Sequence, residues 1–154
     1  MVFSLSLSCF LFGHANCPDS ILPKLELTIE KYYSELNVLY FYVGNRGQFD
    51  RLAARAVKKV KQRYPEIQLF LVLAYHPSER QVDIWVGFDG SYYPPLENVP
   101  KQYAIVRANQ YMVDTSETII CYVKHFGNTR NLLEYAQRRQ KRKNIYIKNL
   151  AEIS

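Results

Sequence analysis

The sequence predicts an α/β fold in which an open, mostly parallel sheet carries helices on both faces. Three observations predict it. Apolar runs of strand length stop at or just before a glycine at Phe10-Leu11-Phe12-Gly13, Leu39-Tyr40-Phe41-Tyr42-Val43-Gly44 and Ile119-Ile120-Cys121-Tyr122-Val123 leading to Gly127, and an amphipathic helix pattern follows each. A fourth run, residues 67–74, is so continuously apolar that both its faces must be covered, as in a central parallel strand. The chain has 154 residues, 48% of them hydrophobic, enough to bury one domain-sized core without disulfides or metal. One domain over residues 1–154 is therefore expected.

The elements follow in order. Residues up to Phe12 read as the first strand, and His14-Ala15-Asn16-Cys17-Pro18-Asp19-Ser20 is turn chemistry with Pro18 suited to a first helical position. Ile21, Leu22, Leu25 and Ile29 then recur at helical spacing, which predicts a helix over residues 18–35. Residues 38–43 are strand two, and Gly44-Asn45-Arg46-Gly47 is a turn whose glycines permit positive φ. Phe49, Leu52, Ala53, Ala56, Val57 and Val60 share one face of a second helix that opens at Gln48 or Asp50 and closes before Pro65. After the 67–74 strand, residues 75–100 are broken by prolines and glycines; a short strand is expected at 82–86, and a segment this long is expected to be a binding loop or lid. A strand at 103–106, a helix at 107–114, a strand at 118–123, a helix at 129–142 and a last strand at 144–147 complete a doubly wound, Rossmann-like sheet of about six strands.

Charge and cysteine content narrow the function. The net charge is +6, from 20 Lys and Arg against 14 Asp and Glu. The basic clusters, residues 51–63 and 138–143, lie at or near helix C-termini, where cations suit the helix dipole, and this argues against nucleic acid as the partner. Cys9, Cys17 and Cys121 form no CxxC pair and have no His at metal spacing, so reduced packing in the cytoplasm is expected, with no metal and no cofactor. The apolar N-terminal segment has no preceding Lys or Arg and no small-residue cleavage site, and it is too short to span a bilayer.

Repeated strand, glycine turn and helix brings several helix N-termini to one sheet edge, where phosphate is the natural guest. Gly13, Gly44 and Gly127 mark those turns, and His14 and His125 follow strands at the same edge as candidates for phosphate or base. Asp50 is either a helix cap or a pocket residue, and Tyr92, Tyr93 and Trp85 are candidates for stacking on a base from the long loop. The expected ligand is a phosphorylated, nucleotide-like small molecule.

The segment Lys124-His125-Phe126-Gly127-Asn128-Thr129-Arg130-Asn131-Leu132-Leu133-Glu134 resembles the last strand-to-helix loop of the SLOG superfamily, the Rossmann-like domains related to Lonely Guy phosphoribohydrolases and DprA/Smf proteins. That loop reads Gly-Gly-x-Gly-Thr-x-x-Glu: Gly127 takes the first glycine, Glu134 the glutamate, and Asn128, Arg130 and Asn131 replace the second glycine, third glycine and threonine. Residues 9–14, 42–51 and 104–113 are similar to the family's first phosphate turn, second glycine loop and short Arg/Asn/Met helix, and residues 92–100 to a loop of its YpsA-like branch. The resemblance implies ligand contacts from Gly13, His14, Gly44, Asn45, Gly47, Asp50, Asn109, Gly127, Asn128 and Thr129.

It also implies a catalytic pair, an arginine four residues before the helix methionine and the loop glutamate, which cleave the N-glycosidic bond of a nucleoside monophosphate. Here Ala108 stands four before Met112 and Arg107 is one residue further off, so the candidate pair is Arg107 and Glu134. The leading expectation is binding or sensing of a nucleotide-derived molecule. The alternatives are a nucleoside-5′-monophosphate phosphoribohydrolase and a DprA-like binder of single-stranded nucleic acid. The apolar faces of the first helix and of the 107–114 helix are candidate surfaces for self-association.

Overall fold

A computed structural model describes residues 5–76, 78 and 87–152. Along them run β1 (Leu7–Gly13), α1 (Leu22–Leu36), β2 (Val38–Val43), α2 (Gln48–Arg63), β3 (Gln68–Val72), β4 (Gly90–Tyr92), α3 (Ala104–Thr115), β5 (Thr118–Tyr122), α4 (Asn128–Gln140) and β6 (Tyr146–Asn149). The strands form one sheet in the order β4-β3-β2-β1-β5-β6, and every neighbouring pair is parallel. The chain winds outward from β1 to β4, then crosses through α3 to β5 on the other side of β1. This Rossmann-like order puts the switch point between β1 and β5, where the carboxyl ends of strands open a crevice.

Side chains of a strand alternate between its faces, so β1 feeds two cores. Cys9 and Leu11 pack with Phe41, Leu25, Ile29, Val57 and Val60 under α1 and α2. Phe10 and Phe12 pack with Ile119, Cys121, Met112, Val113, Leu132 and Leu133 under α3 and α4. All five residues of β5 are buried, so β5 is the strand covered most completely on both faces. The 67–74 run is narrower as a strand than its apolarity suggests: β3 lies between β2 and β4, and its Phe70 is only half-buried.

Several expected boundaries move for identifiable reasons. α1 begins at Leu22, with Pro23 in its first turn, because Pro18 opens a separate short 3₁₀ turn at Asp19–Ile21. Its end is set by Asn37, which takes a left-handed conformation (φ 59°) and donates its side-chain amide to the Leu5 carbonyl at 2.9 Å. α2 stops at Arg63 because Tyr64, preceding Pro65, leaves the helical region (φ −130°, ψ 80°). The strand expected at 103–106 is instead a 3₁₀ turn, Lys101–Tyr103, running into α3. Ala104, Ala108 and Met112 are buried at four-residue spacing, and that period overrides the strand preference of Ile105 and Val106. α4 ends at Gln140 rather than 142, and β6 occupies Tyr146–Asn149 rather than 144–147. The sequence offered no signal for β4, only three residues long. The strand expected at 82–86 and the role of Trp85 lie outside the described residues.

Candidate functional site

On the α3/α4 side, the carboxyl ends of β1, β2 and β3 open into a cavity of about 400 Å³, within the range of small-molecule sites. Its floor is apolar, from Phe10, Phe12, Val72 and Leu132. One wall is α3, through Ile105, Val106, Asn109 and Gln110; the other is α4, through Asn128, Thr129, Asn131, Tyr135 and Arg138. Gly13, Gly44, Arg46 and Asp50 close the loop end. Among the described lining residues, Arg46 and Arg138 are the only cations and Asp50 the only acid. Such a lining can hold a flat apolar ring on the floor, hydrogen-bond its edge through four carboxamides, and pair an anion with guanidinium groups.

Asp50 is not the helix cap, a place that Gly47 takes, but a first-turn residue at the edge of the cavity. It lies in the first turn of α2, whose start at Gly47 has no side-chain cap, and its Oδ2 accepts the Arg46 backbone N–H at 2.8 Å. That bond ties the β2–α2 turn to the first turn of the helix. The same carboxyl is 7% exposed and borders the cavity. Burial raises it to about 6; the Arg46 amide and the Arg46 and Arg51 guanidinium groups pull the other way without prevailing.

The glycines act here through closeness more than through left-handed backbone. Neither Gly44 nor Gly47 has positive φ. A Cβ on Gly13 would sit 2.5 Å from the Phe49 ring, one on Gly47 2.5 Å from the Ala15 Cα, and one on Gly44 3.1 Å from Asp50 Oδ2. Gly127 is different. Its φ of 140° is reserved for glycine, open space surrounds it, and α4 starts immediately after it without a side-chain cap.

Part of the expected anion rim is filled by the protein's own side chains. The His14 ring, 5% exposed, accepts the backbone N–H groups of Lys124 (2.8 Å) and His125 (3.3 Å) at Nε2. The Asp50 carboxylate takes the Arg46 amide, and Phe49 packs over Gly13. The cavity thus gathers Gly13, Gly44, Asp50, Asn109, Asn128 and Thr129 from the residues expected at the site, and leaves His14, Asn45, Gly47 and Gly127 outside its lining.

The expected catalytic pair is not brought together at the cavity. Arg107 is exposed, with its Nη1 donating to Gln110 Oε1 at 3.2 Å, and Glu134 is exposed on α4 and outside the cavity lining, although Asn131 and Arg138, three before and four after it, belong to that lining. Tyr92 is engaged with Tyr42, at 5.8 Å between ring centres, and with Tyr111, hydroxyl to hydroxyl at 3.4 Å. Tyr93 lines a separate cleft with His76 and Leu96.

Sequence reasoning missed Arg46, Gln110, Tyr135 and Arg138 as lining residues. A signal for the last two was present. Asn128, Asn131, Tyr135 and Arg138 recur at three- and four-residue intervals, a polar and aromatic stripe on a helix whose other face is apolar.

Among the described residues no group of three or more His, Cys, Asp or Glu side chains is placed to hold a metal ion, and no helix is long and apolar enough to cross a membrane. All three cysteines are free, and burial pushes the Cys9 thiol up to about 12. No protein-family model matches this sequence, and no curated protein matches it.

Proposed function

We propose that the chain is a SLOG-like domain whose cavity binds a nucleotide-derived, phosphate-bearing small molecule, as a binding or sensing module rather than a hydrolase. The observation that carries the reading is the composition of the cavity: an apolar floor with Arg46 and Arg138 as its only cations among the described residues, at the strand ends where such folds hold ligands. The uncapped start of α4 adds helix-dipole attraction for an anion. The hydrolase reading is set lower because Arg107 and Glu134 stand outside the lining.

Calorimetric titration with AMP, adenosine and inorganic phosphate tests the proposal. AMP is expected to bind, adenosine at least tenfold more weakly, and Arg46→Ala and Arg138→Ala each to weaken AMP about ten- to a hundredfold, the scale of a lost charge-assisted hydrogen bond. Chromatography of the titrated samples should show no free adenine. AMP binding unchanged in both arginine variants, or absent in wild type, overturns the reading; adenine release abolished by Glu134→Gln would restore the hydrolase.

A further inference from the structure

We propose that His14 is a proton-controlled latch: its neutral ring holds the β5–α4 loop closed, and protonation releases the loop that carries Asn128 and Thr129 to the cavity.

The geometry specifies a single competent state of the ring. Nε2 accepts two consecutive backbone N–H groups, those of Lys124 and His125, so it must carry a lone pair, and the ring proton must sit on Nδ1. A second proton has only Nε2 to go to, and there it would face two N–H donors that cannot accept it. Both loop bonds are then lost together. The place vacated is a concavity of successive amides, the arrangement that ordinarily receives an anion.

Burial and two basic neighbours oppose a charge on the ring. The His125 ring stacks on it at 3.7 Å between centres, nearly parallel at 5°. Arg130 on α4 acts on it electrostatically and Tyr122 at the end of β5 meets it edge-on at 6.1 Å. The His14 amide itself donates to the Tyr122 carbonyl at 3.2 Å, which holds the residue against β5. Among the described residues, no carboxylate acts on the ring. Burial first, then His125 and Arg130, lower His14 from the ordinary histidine value. A lowered base adds stability above its unfolded value, near 6.5, and loses it as pH falls through the folded value beneath. Release therefore belongs to solution more acid than that unfolded value.

The latch goes beyond the ligand reading and is tested on ligand-free protein, so its failure leaves that reading standing. Nitrogen chemical shifts of the labelled imidazoles should show His14 at pH 8 protonated on Nδ1 and bare on Nε2; a proton on Nε2 overturns the proposal. Amide exchange, corrected for its intrinsic pH dependence, should show protection of the Lys124 and His125 amides falling at least tenfold between pH 7.5 and 4.5 while Ile120 in β5 stays protected. His14→Gln, which keeps an acceptor without a titrating group, should abolish that pH dependence, and His125→Phe, which keeps a stacking ring without a charge, should move the loss to higher pH. Protection that does not change with pH in wild type, or that falls equally in His14→Gln, overturns it. Should His14→Gln fail to fold, the tautomer and the His125→Phe shift decide.

Discussion

At the residue scale, Asp50 illustrates a site feature that works against stability. A carboxyl moved from 3.8 to about 6 costs about 3 kcal/mol more to ionise in the folded chain than in the unfolded one. Because the folded value is the higher, the folded state holds its proton longer, and stability falls as pH rises from about 4 to about 6. Asp50→Asn keeps an oxygen for the Arg46 amide and removes the buried charge. The variant is expected to be more stable than wild type by about 1–3 kcal/mol at pH 7.5, with the gain shrinking toward zero at pH 4, in denaturant titrations at both values. A variant less stable at both would show that the charge is stabilising. Gly127 tests backbone in isolation from packing: its Cβ would meet nothing within 4 Å, so any loss in Gly127→Ala comes from the φ of 140°. A cost of about 1–3 kcal/mol in thermal unfolding is expected.

At the element scale, α3 and α4 are joined by a polar clasp at Asp114. Asp114, near the C-terminus of α3, accepts from Tyr135 Oη (2.8 and 3.0 Å) and Arg139 Nε (2.6 Å), and its backbone carbonyl accepts from Lys143 Nζ (2.7 Å). Burial by itself would raise this carboxyl, but the bonds from Arg139 and Tyr135 outweigh it and hold it below the ordinary range. A depressed acid stabilises above its unfolded value and loses that contribution as pH falls through the folded one, so the clasp weakens below about pH 4. Nearer their N-termini, Ile105 and Val106 on α3 and Asn128 and Thr129 on α4 line the cavity together with Phe10 and Phe12. A double-mutant cycle on Asp114→Asn and Arg139→Ala is expected to return a coupling of about 1 kcal/mol, modest because the pair is partly solvated. Additive losses would mean that the ion pair does not join the helices.

At the scale of the whole molecule, the question is where a net charge of +6 goes. Much of the basic ridge of α2 is spent within the fold: Lys59 pairs with Glu26 at 3.6 Å and Arg63 with Glu30 at 2.8 Å, both on α1, and Lys61 with Asp89 at 3.2 Å. Lys61 also donates to the Ile67 carbonyl that leads into β3. On α4, Arg139 is held by Asp114, whereas Arg138 turns to the cavity. Partnered cations make a weak track for a phosphate backbone. Fluorescence anisotropy with a labelled single-stranded oligonucleotide is expected to show no saturable binding at 150 mM salt; tight binding with a steep salt dependence would return nucleic acid to consideration.

The α/β class, the parallel sheet and most of its strands were determined by the sequence itself, because the two-residue and 3.6-residue periods of apolar side chains depend on local geometry that each segment carries with it. The glycine ending β1 and the acid opening α2 were visible for the same reason. Only the tertiary structure decided which of these groups face ligand and which face each other. That Phe49 covers Gly13, that His14 fills the loop amides, that Arg46 and Arg138 share one cavity and that Glu134 stands outside its lining are set by how distant segments pack together. Those segments lie up to about a hundred residues apart, as in the 110 positions between His14 and Lys124 at the ends of the paired strands β1 and β5, and no local pattern encodes a contact of that span.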